Sequence, residues 1–223
     1  MEEHKQQESL TDAGIKFYGK MIASLSHEIK NVLATINEHA GLLHDLSAMS
    51  QEEGSAIDPA RVRISAEKII KQVARGDSIV KTMNRFAHSA DQSQQSIDLK
   101  DIISFMSVLC QRLFFIKGVT LEVAPIAGSA IIETNLFYLQ NLIWLCMDFV
   151  IATAGEDKKV RLVVDKAETG IDLRFVQLKR LDNSAGYPFP CEHEQAILDF
   201  LDAELSVNKE SGEIVVSLKE KTR

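Results

Sequence analysis

A heptad repeat near the amino terminus constrains this chain more than any other feature. Its seam positions are separated by alternating steps of three and four residues. They hold Ile15, Tyr18, Ile22, Leu25, Ile29, Val32, Ile36, His39 and Leu43. The pattern predicts a long amphipathic helix that packs nearly parallel to other helices. On such a helix His27 lies opposite the seam, so we expect it to face solvent.

The following segment predicts a second helix of the same kind. Residues 47–58 are polar and rich in turn formers, and Asp58-Pro59 supplies an N-cap followed by a proline at the first helical position. The predicted seam holds Val62, Ala66, Ile69, Val73, Gly76, Val80, Met83 and Ala87, with Ile70, Ile79 and Phe86 beside it. Two antiparallel helices joined by a short connection form a helical hairpin, which we assign to residues 9–89.

Each predicted helix keeps apolar side chains after it has paired with the other, among them Met21, Leu33 and Ile70. Burying a large aliphatic side chain is worth roughly 1.5–3 kcal/mol, so leaving several of them exposed is costly. Two hairpins that associate into a symmetric four-helix bundle remove this cost. The sequence therefore predicts a homodimer.

Composition narrows the class of protein. A net charge of −7 without a basic cluster predicts no nucleic-acid partner. The longest apolar run, residues 142–152, is interrupted by Asp148 and is too short to predict a membrane span. The polar amino terminus does not resemble a signal peptide. Three scattered cysteines, Cys110, Cys146 and Cys191, suggest a reducing compartment, so we expect a cytoplasmic protein.

The rest of the chain predicts a second domain at residues 97–223, after a linker rich in Ser and Gln at residues 89–96. Asp98 can cap a helix that runs to about residue 117. Further helices are expected at residues 135–153 and 192–205, and strands at residues 119–123, 130–133, 159–164, 171–178, 205–207 and 214–218. The simplest arrangement is α+β, with helices layered on a mixed sheet behind the helical hairpin.

The hexapeptide Ser26-His27-Glu28-Ile29-Lys30-Asn31 brings an imidazole, a carboxylate and an amide together on the first helix. The outer face around His27 also carries small residues, namely Ala23, Ser24, Ala34 and Gly41. By its position alone, His27 is most simply a solvated surface histidine. With a carboxylate and an amide beside it, His27 also has the groups that a phospho-accepting histidine needs. It lies on a surface that a second protein can approach closely.

This hexapeptide, followed by Val32-Leu33-Ala34-Thr35-Ile36, resembles the H-box of bacterial sensor histidine kinases. The second helix, with Arg75 and residues 79–87, resembles the partner helix of their dimerisation and phosphotransfer domain. The likeness continues through residues 96–99 and 118–122 into their ATP-binding domain. It implies phosphorylation of His27 and response-regulator receiver domains as partners.

The expected ATP site departs from the family pattern. The resemblance places Trp144 and Asp148 where the kinases usually carry asparagines, and Phe149 where they carry a small alanine. A phenylalanine overfills a pocket shaped around a small residue. Residues 179–191 contain only Gly186, whereas loops that cradle phosphate need glycines for close backbone approach. We therefore expect a degenerate ATPase-like domain with no cofactor and no metal ion of its own.

Three functions remain open at this point. The first, which we favour, is a histidine phosphotransferase of a bacterial two-component phosphorelay, which moves phosphoryl groups between receiver aspartates and His27 without ATP. The second is an active sensor-type histidine kinase with a divergent ATP site. The third is a non-catalytic or phosphatase-only regulator that binds response regulators or a kinase.

The phosphotransferase hypothesis gives three residues a role in the site. His27 attacks the aspartyl phosphate, and Glu28 accepts a hydrogen bond from the second ring nitrogen. Asn31 matches the family position linked to orienting water for receiver dephosphorylation. Mg²⁺ is expected from the acidic pocket of the receiver. Phosphoryl transfer of this kind needs positioning and charge neutralisation more than covalent work by the protein.

Overall fold

A computed structural model of the chain describes residues 2–54, 56–126, 128, 130–167, 170–179, 181 and 188–219. The helices are α1 (Glu2–Glu53), α2 (Pro59–Ala87), α3 (Leu99–Leu109), α4 (Gln111–Lys117), α5 (Leu136–Thr153) and α6 (Glu192–Leu201). The strands are β1 (Gln95–Asp98), β2 (Thr120–Val123), β3 (Ile131–Thr134), β4 (Lys159–Lys166), β5 (Gly170–Val176), β6 (Ala203–Asn208) and β7 (Glu213–Lys219). The predicted α+β class, with amino-terminal helices and a carboxy-terminal sheet domain, is confirmed.

The chain divides into two compact units. One is Gly19–His88, which we call the hairpin unit, and the other combines Met1–Tyr18 with Ser89–Arg223, which we call the sheet unit. Residues 9–18, which we assigned to the hairpin from the sequence, fall within the sheet unit.

The first turns of α1 join the sheet unit because they bury a different face from the one that the heptad repeat predicts. Leu10, Ala13 and Phe17 are buried, whereas Ile15 and Tyr18 of the predicted seam are exposed. The Phe17 ring centroid lies 5.6 Å from that of Phe137 and 5.6 Å from that of Trp144, both on α5. Aromatic contacts with α5 thus set the rotation of this end of the helix.

The seam of α1 follows the prediction within the hairpin unit. Leu25 and Val32 are buried, and the seam positions from Ile22 to Leu43 are otherwise half-buried. The helix continues to Glu53, so the expected polar break at residues 47–58 is reduced to a short connection. Asp58 caps α2 as predicted, because its side chain accepts a hydrogen bond from the backbone N–H of Ala60 at 2.8 Å.

The buried face of α2 is rotated from the predicted seam. Ser65, Ile79 and Phe86 are its buried residues, whereas Val73 and Val80 are exposed. The helix carries apolar side chains on two adjoining stripes, and only the stripe that contains Ile79 and Phe86 is covered within this chain. The second stripe, which includes Ile70 and Val73, remains open to solvent.

The sheet unit is built on five strands in the order β2-β4-β5-β7-β6, with β2 parallel to β4 and the other pairs antiparallel. Alternate residues are buried along β5 and β7, and so are Val160 and Leu162 in β4, as in a sheet that helices cover on one face. β1 and β3 form a separate antiparallel pair. β1 lies across the end of the predicted linker, and its polar sequence did not indicate a strand.

Two helix ends differ from the prediction. The helix after Asp98 is interrupted at Cys110, which gives α3 and α4. α6 ends at Leu201 because Asp202 adopts a left-handed backbone with φ of 53°, and β6 begins directly afterwards. Residues 168–169, between the strands predicted at residues 159–164 and 171–178, lie outside the described residues.

α5 is the central helix of the sheet unit. It is the one helix of the described chain that is long and apolar enough to cross a membrane, with a mean hydropathy of 1.5 over Leu136–Thr153. Since 61% of this window is buried inside the protein, the helix also fits the core of a folded domain.

Candidate functional site

His27 lies on the exposed face of α1 in the hairpin unit. Ala23 and Asn31, one turn before and after it, are also exposed, and Ser24 is half-buried. Further along the helix, a Cβ atom added to Gly19 or Gly41 meets no other atom within 4 Å. The imidazole is thus presented on a surface that bears few bulky side chains.

Glu28 faces the second helix of the hairpin. Its Oε2 atom lies 3.5 Å from Nη2 of Arg75 on α2, and its side chain is only 22% exposed. Consecutive residues of an α-helix point in different directions, so Glu28 turns toward α2 while His27 turns toward solvent. The hydrogen bonds found among the described residues do not include one from His27 to Glu28, so that role of Glu28 remains a prediction.

Arg75 is the residue to which the sequence analysis gave no chemical role. Its guanidinium holds the carboxylate next to His27, and the adjacent Gly76 lies close to α1. A Cβ atom added to Gly76 would lie 3.3 Å from Cγ1 of Val32. Arg75 and Gly76 together therefore fix how α2 supports the segment that carries His27. A cationic residue on α2 is visible in the sequence, but the axial register of the two helices decides which acid it meets.

Asn31 presents its side chain on the same open surface as His27. The Thr35 hydroxyl donates a hydrogen bond to the backbone carbonyl of Asn31 at 3.1 Å, which involves the main chain only. The carboxamide of Asn31 is exposed, so it can contact water or a bound protein. Lys30 is exposed as well.

Two of the three positions that depart from the kinase pattern, Trp144 and Phe149, are filled by aromatic packing in the sheet unit, and the third, Asp148, is half-buried. Trp144 is buried, with its ring against Phe17. Phe149 is also buried and stacks on Phe189, with ring centroids 4.1 Å apart and an interplanar angle of 12°. The rings occupy space that a small residue would leave open. Residues 182–187, which include Gly186, lie outside the described part of the chain.

Two polar residues of α5 are buried without a partner. Gln140 and Asn141 are each 1% exposed, and neither amide group has a hydrogen-bond partner among the described residues. A buried polar group that lacks a partner costs about 1–3 kcal/mol.

Burial and the charge of Asp148 raise the pKa of the Cys110 thiol to about 12, which keeps this thiol protonated and inert.

The other histidines do not assemble a second site. His39 is half-buried in the α1 seam, and its buried Nδ1 atom has no hydrogen-bond partner in the part of the chain that the structure describes. His44 is exposed, with Nδ1 3.5 Å from a carboxylate oxygen of Asp45. Within the described residues, no group of three or more His, Cys, Asp or Glu side chains is arranged to hold a metal ion.

No family model and no curated protein matches the chain. Solved structures that are similar to it include histidine kinase AdeS of Acinetobacter baumannii, at 10% identity over 82% of this chain and 96% of that chain, with a TM-score of 0.44. The ATP-binding domain of PrrB from Mycobacterium tuberculosis is 14% identical over 59% of this chain and 100% of that chain, with a TM-score of 0.44.

A third similar structure is histidine kinase ThkA in complex with response regulator protein TrrA. It is 17% identical over 99% of this chain and 65% of that chain, with a TM-score of 0.47. All three of these similar structures are of histidine kinases or their domains.

Proposed function

We propose that this protein is a histidine phosphotransferase of a cytoplasmic bacterial phosphorelay, which moves phosphoryl groups between receiver aspartates and His27 without ATP. The observation that carries the proposal is the exposed His27 on a helix face of small residues, within a segment that resembles the kinase H-box. A receiver domain must bring its phosphorylated aspartate within bonding distance of the imidazole, and a face with few bulky side chains permits that approach.

The proposed reaction needs few groups from this chain. One ring nitrogen of neutral His27 attacks phosphorus, and the bond between phosphorus and the aspartyl oxygen breaks. The aspartate leaves as a carboxylate with the bonding electron pair, and the second ring nitrogen keeps its proton. Mg²⁺ belongs to the receiver and neutralises charge on the phosphoryl oxygens. Transfer to a second receiver is the same reaction in reverse.

Glu28 is proposed to act through the charge of its carboxylate. The cation that forms on the imidazole is stabilised by a nearby anion. Arg75 holds Glu28 in its present orientation, so a change of side-chain rotamer is required before Glu28 can accept the hydrogen bond from His27. We propose that docking of a receiver, whose acidic pocket can attract Arg75, releases Glu28 for this task.

The aromatic packing of the sheet unit supports transfer without ATP over autokinase activity. Trp144 and Phe149 do not supply the oxygen ligands that Mg²⁺ prefers. Both rings are buried against other aromatic rings, so opening a nucleotide pocket there requires breaking the contacts with Phe17 and Phe189. An active kinase is therefore the weaker proposal.

The homodimer is part of the proposal, and the open stripe of α2 supports it. Ile70 is 68% exposed and Val73 is 56% exposed in the isolated chain. On α1, Leu33 and Met49 are exposed as well. A second hairpin unit that covers these side chains would complete a four-helix bundle with a His27 face on each protomer.

The test is transfer from a receiver. Candidate receivers are phosphorylated with a small-molecule phosphodonor, freed of the donor and mixed with the protein in Mg²⁺ buffer without nucleotide. We expect acid-labile phosphate on the wild type and at least a 1,000-fold lower yield with His27→Ala. His44→Ala is the matched control, because His44 is exposed on the same helix and should transfer normally.

Two outcomes would replace the proposal. If His27→Ala accepts phosphate as well as the wild type, the transfer site lies elsewhere. If no receiver of the source organism transfers phosphate, but receivers bind, the regulator becomes the better assignment. Calorimetric titration with Mg-ATP distinguishes the kinase hypothesis from the other two. Micromolar binding would require a nucleotide site, which the aromatic packing does not leave open.

A further inference from the structure

The sheet of the sheet unit has an open edge at β2. β2 pairs with β4 on one side, and no strand of the described chain pairs with its other side. The N–H groups of Thr120 and Ala124 donate to β4 or the turn before it, namely to the carbonyls of Lys158 and Leu162 at 2.8 Å each. Alternate residues of a strand direct their backbone groups to opposite sides, so the N–H and C=O groups of Leu121 and Val123 point away from β4.

Apolar side chains continue to this edge. In the register of the sheet, Leu121 lies beside Val160 and Val123 beside Leu162, and both β4 residues are buried. The side chains of Leu121 and Val123 therefore share the helix-covered face of the sheet. Yet Val123 is 41% exposed, because the helical layer does not cover the edge of the sheet.

A groove lies between α3, α4 and β2. It has a volume of about 440 Å³ and includes Val108, Phe115 and Leu121 in its lining. Phe115 is 83% exposed and Val108 is 57% exposed. Large exposed apolar groups that cluster beside an unpaired backbone edge are typical of a binding surface rather than of free solvent-facing surface.

The end of the groove near the turn between α4 and β2 is basic, although the chain as a whole carries a net charge of −7. Lys117 ends α4 and is exposed. The Lys158 amine lies 3.7 Å from the position that a Cβ atom of Gly118 would take, which places it at this turn. Glu122 is the one acidic residue of β2, and it alternates with the apolar residues, so it lies on the other face of the sheet.

From these observations we infer that the groove binds an extended, acidic segment of a partner protein, which adds to the sheet as a strand along β2. The backbone of the segment pairs with the outward N–H and C=O groups of Leu121 and Val123. Its apolar side chains cover Phe115 and Val108, and its acidic residues meet Lys117 and Lys158. This is strand addition at an exposed sheet edge, in which backbone bonds supply affinity and pockets supply selectivity.

The test measures binding of a fluorescein-labelled ten-residue peptide of alternating Val and Glu to the full chain by fluorescence anisotropy. We expect saturable binding with a Kd below about 1 mM. An analogue with Lys in place of Glu tests the charge, and an analogue with N-methylated backbone at alternate residues tests the strand pairing. Each should bind at least about tenfold more weakly.

Substitutions in the protein then locate the site. Phe115→Glu should weaken binding of the Val-Glu peptide at least about tenfold. It should leave the protein folded, because the Phe115 side chain is exposed. Val123→Pro removes an outward N–H that no strand uses and should weaken binding similarly. Ile131→Glu, at an exposed apolar residue of β3 that does not line the groove, is the matched control and should bind like the wild type.

Three results would overturn the inference. One is the absence of saturable binding to the wild type, and another is equal binding by Phe115→Glu and the wild type. The third is self-association of the wild type that Phe115→Glu abolishes while the peptide does not compete, because the groove would then bind a second copy of this chain.

Discussion

The hairpin unit and the sheet unit treat their polar and apolar residues in opposite ways. In the hairpin unit, His27 and Asn31 are exposed among small residues, and several large apolar side chains remain open. In the sheet unit, Trp144 and Phe149 are buried against other aromatic rings, and even the amides of Gln140 and Asn141 are enclosed. The first arrangement is suited to contacts with other proteins, and the packing around α5 is that of a core.

This difference separates chemistry from architecture within one chain. A residue that must meet a partner gains nothing from tight packing, so its substitution affects activity and leaves stability unchanged. Substitution of a packed residue such as Trp144 should instead lower stability. Substitutions in the hairpin unit should therefore change assembly or phosphoryl transfer, and substitutions on α5 should change stability.

The largest expected effect is on the stability of the sheet unit. Trp144→Ala should lower the free energy of unfolding by about 3–5 kcal/mol, because it removes a buried ring that contacts Phe17 and leaves a cavity. Denaturant titration followed by circular dichroism measures this loss, because the variant no longer has the one tryptophan of the chain as a fluorescent probe. His27→Ala, at an exposed position, should change stability by no more than about 0.5 kcal/mol. A loss below about 1 kcal/mol for Trp144→Ala would contradict the assignment of α5 as the packed core.

The second effect is on assembly. Ile70→Glu combined with Val73→Glu places two charges on the open stripe of α2 and should weaken the proposed dimer at least about 100-fold, or about 2.7 kcal/mol. Sedimentation equilibrium at micromolar concentration measures the association. Lys71→Glu, at an exposed polar neighbour, is the control for charge alone. A wild type that is monomeric at these concentrations would remove the dimer from the account.

The third effect has the opposite sign. Gln140→Met replaces a buried amide, which has no partner among the residues that the structure covers, with an apolar side chain of similar length, so it should raise the free energy of unfolding by about 1–3 kcal/mol. Gln51→Met, at an exposed position of α1, should change it by less than about 0.5 kcal/mol. Destabilisation by Gln140→Met, measured in the same denaturant titration, would mean that the amide has a partner.

The smallest effect concerns Asn31. Asn31→Ala should leave transfer to His27 within about twofold of the wild type and slow the hydrolysis of the receiver's aspartyl phosphate about tenfold, because orienting water is separate from attack by His27 on phosphorus. Parallel time courses of labelled receiver, labelled protein and free phosphate measure both rates. Equal slowing of both would assign Asn31 to receiver binding instead.

The sequence was most informative where local signals agree. The Asp58-Pro59 cap, the apolar helix after Asn135 and the strand β4 were all predicted from residues that lie next to one another in the chain. The exposure of His27 was equally accessible, because a heptad repeat defines its outer face as well as its seam.

The remaining features depend on partners that are distant in sequence. Phe17 was not expected in the core because its partners, Phe137 and Trp144, lie in a different domain of the prediction. β1 forms by antiparallel pairing of its backbone with β3, which lies more than 30 residues further along the chain. In the site, the contact between Glu28 and Arg75 depends on the axial register of two helices, which heptad positions do not fix. These are tertiary constraints that override local propensity.

The central claim is that His27 passes phosphoryl groups between receivers without nucleotide, and a two-receiver relay tests it most directly. A labelled phosphoreceiver and an unlabelled second receiver are mixed with catalytic amounts of this protein, in Mg²⁺ buffer treated to remove all nucleotide. The account predicts that label moves to the second receiver with the wild type and with His44→Ala, and that it stays on the first with His27→Ala. Label that reaches the second receiver equally well with His27→Ala, or only after ATP is added, would contradict the account.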